Sequence, residues 1–299
     1  MSILPDFVVL AFVGAALFGL EPALSKRGLA AGGTWLQSTL ILLFVRVVLF
    51  WSALLWVAGP SSAFAGLTPA AGALFAVASV IATALGRPAL YEAFDRVGST
   101  VSNAFVNARP VFSVGFGAVV LGELVSSALA VGVFLLVGGL VAVTLSKGGD
   151  IGGWSKTDLV FPLFAALAFS TGNVIRRFGF TNTSTTVLQA VTVGETVTCL
   201  VVVVYAVAGH PDPVWTASRR VYGYFLGGTV LASLGFLSMF AALNAGPVSV
   251  VDSVIAAAPL VTVVVAAIFL RDIERVTLRL IAGVVLVVAG LVLVTTQPF

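Results

Sequence analysis

Ten apolar stretches divide the chain, near residues 7–28, 36–58, 69–91, 98–120, 125–146, 158–178, 186–208, 222–243, 248–270 and 276–296. Each is close to the twenty or so residues that a helix needs to cross a bilayer. None alternates apolar and polar positions as a barrel strand would, and each is about twice such a strand's length. In hydrocarbon only helices and closed barrels satisfy their own backbone groups. The pattern therefore predicts an all-α integral membrane protein of ten transmembrane helices, joined by short connections that hold most of the glycine, proline and charge.

Composition sharpens this picture. Of 299 residues, 60% are apolar and only 9% are charged, whereas a soluble domain carries about 25% charged residues. Fifteen basic and twelve acidic side chains are too few to cover a water-facing surface. A soluble enzyme, a nucleic-acid binder and a secreted disulfide protein are thereby excluded. The net charge of +3 reads as the basic loops that orient a membrane protein. Cys199 and His210 are the sole cysteine and histidine, so neither an intrachain disulfide nor a cysteine- or histidine-rich metal site can form. The opening Met1-Ser2-Ile3-Leu4-Pro5-Asp6 lacks the basic region of a signal peptide, and the first stretch is expected to stay as a helix.

An internal repeat is the most informative motif. Glu123 is followed nine residues later by Gly132 and seven later by Gly139; Glu274 is followed at the same intervals by Gly283 and Gly290. Upstream, Gly98 precedes Pro110 by twelve residues and Gly246 precedes Pro259 by thirteen. Leu36-Gln37 parallels Leu188-Gln189, and Lys26 and Gly28 parallel Arg177 and Gly179. The duplication divides the chain into 1–147, a glycine-rich linker at 148–157, and 158–299. Five helices is an odd number, so the second copy enters the membrane from the opposite side, the inverted-repeat plan of many secondary transporters. Loop charge supports this plan. Lys26, Arg27, Arg87, Arg96, Lys147, Lys156, Arg219, Arg220, Arg271, Arg275 and Arg279 fall on one side of the ten-helix arrangement, against Arg176 and Arg177 on the other. The first side is then cytoplasmic and both termini are outside.

In each half a helix running from glycine to proline precedes a short apolar run, an acidic turn and a glycine-containing last helix: Gly98–Glu123 with Gly132 and Gly139, and Gly246–Glu274 with Gly283 and Gly290. This arrangement resembles the EamA-like branch of the drug/metabolite transporter superfamily over roughly residues 7–296. Lys26, Arg46 and the Tyr91-Glu92-Ala93-Phe94 segment strengthen the likeness. The chain departs from the family at Arg271-Asp272-Ile273-Glu274, longer than the Gly122-Glu123 turn, and at Glu21-Pro22, where an aromatic residue or glycine is common. The resemblance implies export or exchange of small metabolites by alternating access.

Ionisable groups at bilayer depth cost about 2.5–3.5 kcal/mol each, so they are functional candidates by default. Arg46, Arg109 and Glu195 are the deepest charges. They are expected either to bind an anionic substrate group beside a counter-charge or protonatable carboxylate, or to form a structural pair locking the halves. Asn103 and Asn107 share a helix face with Thr100, and Pro110 and Pro259 break the backbone ladder near the midplane. Asp252 is a further cavity or coupling candidate, weighed against a carboxylate at a helix start. Glu21 and Asn173 complete the candidate substrate-binding set. Arg176, Arg177, Lys26 and Arg27 read as interfacial side chains that snorkel to headgroups. Gly132/Gly139 and Gly283/Gly290 read as close-packing faces, and Glu123 as a cap.

The leading class is a secondary transporter in the cell membrane, with a small-molecule substrate, the lipid bilayer and a coupling proton or ion as partners. The substrate is an amino acid, an organic acid or a drug-like compound. No cofactor, metal or nucleic acid is expected, and no G-x-x-x-x-G-K-[ST] run is present for ATP. A passive channel or membrane scaffold is the second class. An intramembrane enzyme is the third, disfavoured because one histidine cannot build H-E-x-x-H. Ten helices can enclose a site within one chain, which leaves the oligomeric state open.

Overall fold

The computed structural model describes residues 4–146, 154–209, 216–261 and 278–296. The glycines of the expected linker, together with His210, Trp215 and Glu274, lie outside the described residues. Among the described residues the fold is entirely helical. The helices are α1 (Asp6–Ala30), α2 (Trp35–Ala58), α3 (Pro69–Ser79), α4 (Gly86–Val106), α5 (Arg109–Leu121), α6 (Ser127–Ser146), α7 (Val160–Asn182), α8 (Val187–Gly209), α9 (Arg219–Ala245), α10 (Val248–Ala256) and α11 (Leu278–Thr295). Among the described residues eight stretches are long and apolar enough to cross a membrane. Val248–Val261 and Ile281–Thr295 are shorter apolar helices that border undescribed residues. Apolar side chains such as Trp56, Val119 and Phe134 are turned outward, as a lipid-facing surface requires.

Reciprocal Thr/Gln boxes set the starts of α2 and α8. Thr34 accepts from the backbone N–H of Gln37, whose side chain accepts from Thr34 N–H. Thr186 and Gln189 make the same reciprocal pair at the start of α8, and such a box satisfies two of the orphan donors of a helix N-terminus. Both glutamines then reach across the bundle: Gln37 Nε2 donates to Thr216 O (3.2 Å), and Gln189 Nε2 donates to Ala63 O and Ala65 O (3.0 Å each).

Packing follows a reciprocal scheme. α1 lies on α9 as α7 lies on α3 and α4; α2 faces α8, α5 faces α10, and α6 faces α11. In the α6–α11 contact a Cβ at Gly139 would stand 2.6 Å from Gly283 O, and one at Gly290 would stand 2.6 Å from Gly132 O. Only glycine lets the two backbones approach this closely.

Three departures from regular helix position the interior. Val80–Leu85 is a π-helical segment joining α3 to α4, with Gly86 N–H reaching back five residues to Ile81 O. Pro88 follows, with no N–H to offer Ala84, and a π turn absorbs the misfit. The third apolar stretch consequently runs on to Gly98, beyond the boundary near 91 that hydropathy suggests. Gly98 (φ 81°, ψ 157°) then turns the chain directly into the next span without a loop, in a conformation that strains any residue with a Cβ. The next span breaks between α4 and α5. There Ala108 N–H donates to Phe105 O (3.0 Å) and Val111 N–H to Ala108 O (3.0 Å). The same tight turn follows α10, where Ala257 N–H donates to Val254 O (3.1 Å) and Leu260 N–H to Ala257 O (2.9 Å). In both places a proline, Pro110 or Pro259, stands two residues past the turn.

Candidate functional site

Both helix breaks and the π segment border one cavity of about 410 Å³. Its wall takes Glu21 and Lys26 from α1, Arg46 from α2, Thr83 from the π segment, Arg87 and Asn103 from α4, Asn107 just past its end, and Arg109 from α5. Asn173 and Arg176 of α7, Phe236 and Met239 of α9, and Pro259 complete the polar and apolar sides. The cavity extends from mid-bundle to the end where α1 finishes, at the exposed Lys26.

Two ion pairs stand in or behind this wall. Arg46 Nη1 donates to Glu195 Oε2 at 2.9 Å, and Arg46 Nη2 donates to Ala232 O at 3.3 Å. The Arg46 guanidinium also lies 4.0 Å from the Phe236 ring centroid, close enough for a cation–π attraction. Arg109 Nε lies 3.3 Å from Asp252 Oδ1, an ionic contact without hydrogen-bond alignment. Asp252 accepts instead from Asn173 Nδ2 (3.0 Å) and from the Ser113 hydroxyl. Both carboxylates are wholly buried. In each pair the arginine comes from the first half of the chain and the carboxylate from the second.

Six of the eight candidates drawn from sequence line the cavity: Arg109, Asn103, Asn107, Arg46, Glu21 and Asn173. Glu195 and Asp252 do not; they sit behind it as counter-ions. The structure corrects the reading of Arg176. It is not interfacial but 2% exposed at the cavity wall. The reason is that α7 continues to Asn182, so Arg176 lies deeper than a helix ending near 178 would place it. Its Nη1 donates to Asn173 Oδ1 (2.7 Å) and its Nη2 to Ser79 Oγ (3.4 Å). The rings of Phe240 and Phe236 lie 4.7 and 5.2 Å from its guanidinium. Arg87 also joins the wall; its Nη2 donates to Tyr91 Oη at 3.1 Å.

The opposite end of the bundle is tied shut. Glu123, beyond the end of α5, accepts from Val248 N–H (2.6 Å) and Ser249 N–H (3.0 Å) and so caps α10. A carboxylate there also meets the positive end of the helix dipole. Arg177 donates to Leu243 O (3.0 Å) and Asn244 O (2.9 Å), closing the C-terminal end of α9. No group of histidine, cysteine or carboxylate side chains among the described residues could hold a metal ion.

A solved crystal structure shares the fold, with a TM-score of 0.79 over 97% of this chain and 98% of that one at 15% identity. No curated protein matches the chain. Residues 157–296 match the EamA-like transporter family, part of the drug/metabolite transporter superfamily. Over those residues this multi-pass membrane protein is similar to a family of membrane transporters, the EamA-like transporter family.

Proposed function

We propose that the chain is a secondary transporter that exports a small metabolite across the cell membrane by alternating access. The substrate is an amino acid, an organic acid or a drug-like compound. The observation that carries this reading is the mid-bundle cavity, walled by helices of both halves and by the breaks after Val106 and Ala256. Broken helices at the midplane are where such transporters expose backbone groups to substrate.

In this reading residues 1–147 and 158–299 are inverted five-helix repeats joined by 148–157, and the chain crosses the membrane ten times. Reciprocal packing supports the symmetry. Gly132 meets Gly290 while Gly139 meets Gly283, as a two-fold axis relating the halves requires. The tied end, at Glu123 and Arg177, is the outer one. The cavity then faces the cytoplasm, and outward opening requires the Glu123 cap on α10 to break. Asp252, held between Arg109, Asn173 and Ser113, is the candidate carrier of a coupling proton.

Counterflow in proteoliposomes tests the proposal. Vesicles preloaded with an unlabelled amino acid, organic acid or amine are offered a labelled trace of the same compound. Transient, saturable accumulation of label for one of these classes is expected. Flux that rises linearly with concentration and gains nothing from preloading would instead mark a channel.

A further inference from the structure

We infer that the cavity takes a small organic anion with an apolar body, and that Arg176 is the residue that holds its charged group. This inference rests on the transporter reading above and narrows its substrate class. Of the buried arginines at the wall, Arg46 has a dedicated carboxylate and Arg176 does not. Arg109, half-buried, is matched to Asp252. Among the described residues Arg176 forms no ion pair, and its hydrogen-bond partners are an amide and a hydroxyl. Its Nε has no hydrogen-bond partner there. Glu195 and Asp252 are near enough to act on it, but each is already committed to another arginine.

The charge balance points the same way. Arg46, Arg87, Arg109 and Arg176 at the wall stand against Glu21, Glu195 and Asp252, a surplus of one positive charge, to which the exposed Lys26 adds a second at the mouth. Glu21 is itself occupied by the Ser25 hydroxyl. A buried charge without a partner is costly, and an anion of one or two charges would relieve the surplus. A guanidinium fork matches a carboxylate, sulfonate or phosphate in two parallel hydrogen bonds. Around it Phe18, Leu90, Phe169, Phe236 and Met239 supply an apolar bed. The volume of about 410 Å³ lies in the range of small-ligand sites.

The test uses the purified full chain and three probes of one body: 3-phenylpropionate, 3-phenyl-1-propanol and 3-phenylpropylamine, with succinate as a compact dianion. A ligand that binds only the folded state raises its melting temperature with concentration. The acids are expected to do so, and the alcohol and amine are not. Arg176→Gln should weaken acid binding by about 10- to 100-fold, the value of hydrogen bonds to a charged group. Arg176→Lys should fall between, and the surface change Arg96→Gln should leave binding unchanged. Acid binding to Arg176→Gln equal to wild type, equal stabilisation by the alcohol or amine, or no response to either acid would each overturn the inference. If Arg176→Gln fails to fold, the wild-type series still decides. Counterflow of an amine or neutral solute, with no acid bound, would remove the anion and keep the transporter. Counterflow absent for every class, with acids still bound through Arg176, would remove the transporter and keep the anion site.

Discussion

The contact between α6 and α11 and the walls of the cavity share one bundle but are built from opposite materials. At the contact, glycines face backbone oxygens, and the adjoining Leu136, Leu140 and Val287 are fully buried. A tightly packed apolar contact of this kind has one good arrangement and no polar group to re-pair. At the cavity, arginines, asparagines and two broken helices meet, and several donors have no partner among the described residues. Such a wall can exchange one partner for another. In the alternating access proposed above, α6 and α11 would serve as the scaffold and α4, α5, α7 and α10 as the moving parts.

Substitutions can break this comparison, starting with the largest effect. Glu195→Ala leaves Arg46 buried without its carboxylate and should cost about 3–5 kcal/mol of stability, read by unfolding in detergent. The double change Arg46→Met with Glu195→Leu should recover most of that loss, since an apolar pair of similar volume removes the stranded charge. A single variant as stable as wild type would mean that Glu195 does not compensate Arg46.

The scaffold is tested next. Gly139→Leu forces a side chain against Gly283 O and Val287 N, and overpacking of this kind costs about 3 kcal/mol. Its neighbour Gly138 is exposed with open space around its Cβ position. Gly138→Leu should therefore be neutral or stabilising by up to about 1 kcal/mol through helix propensity. Equal losses at both positions would deny that the contact is special. Glu123→Gln keeps the side-chain length but removes the charge and leaves one acceptor oxygen where two now serve Val248 N–H and Ser249 N–H, and about 1–2 kcal/mol of difference is expected. That should appear less in stability than in the balance between conformations. Smallest of all, Arg96→Gln removes exposed ion pairs to Glu92 and Asp158, worth less than about 1 kcal/mol.

How much of this could be read in the chain differs by element. The eight described spans followed from apolar runs, because lipid leaves few alternatives to a spanning helix. The Thr34/Gln37 and Thr186/Gln189 boxes sit at the predicted starts of α2 and α8. Arg46 and Arg109 were legible as wall residues because a charge in mid-stretch has nowhere apolar to go. Arg176 was not, because two adjacent arginines near a helix end look like a headgroup anchor. Its depth depends on the four further residues that α7 takes before Thr183. The pairing of Arg46 with Glu195, 149 positions apart, depends on α2 lying against α8, which no local pattern specifies. The π segment was also hidden, although Pro88 inside an apolar stretch was a signal for it.

Distances between paired spin labels in lipid nanodiscs test alternating access most directly. Cys199→Ser removes the native thiol, and labels are placed at exposed positions in two pairs. Leu124 with Asn244 reports the tied end, and Ala30 with Asp95 reports the other end. Glu123→Gln should lengthen the first distance and shorten the second together, as one end opens and the other closes. A single unchanged distance at each end, or an opening at Leu124 and Asn244 with no closing at Ala30 and Asp95, would contradict the account.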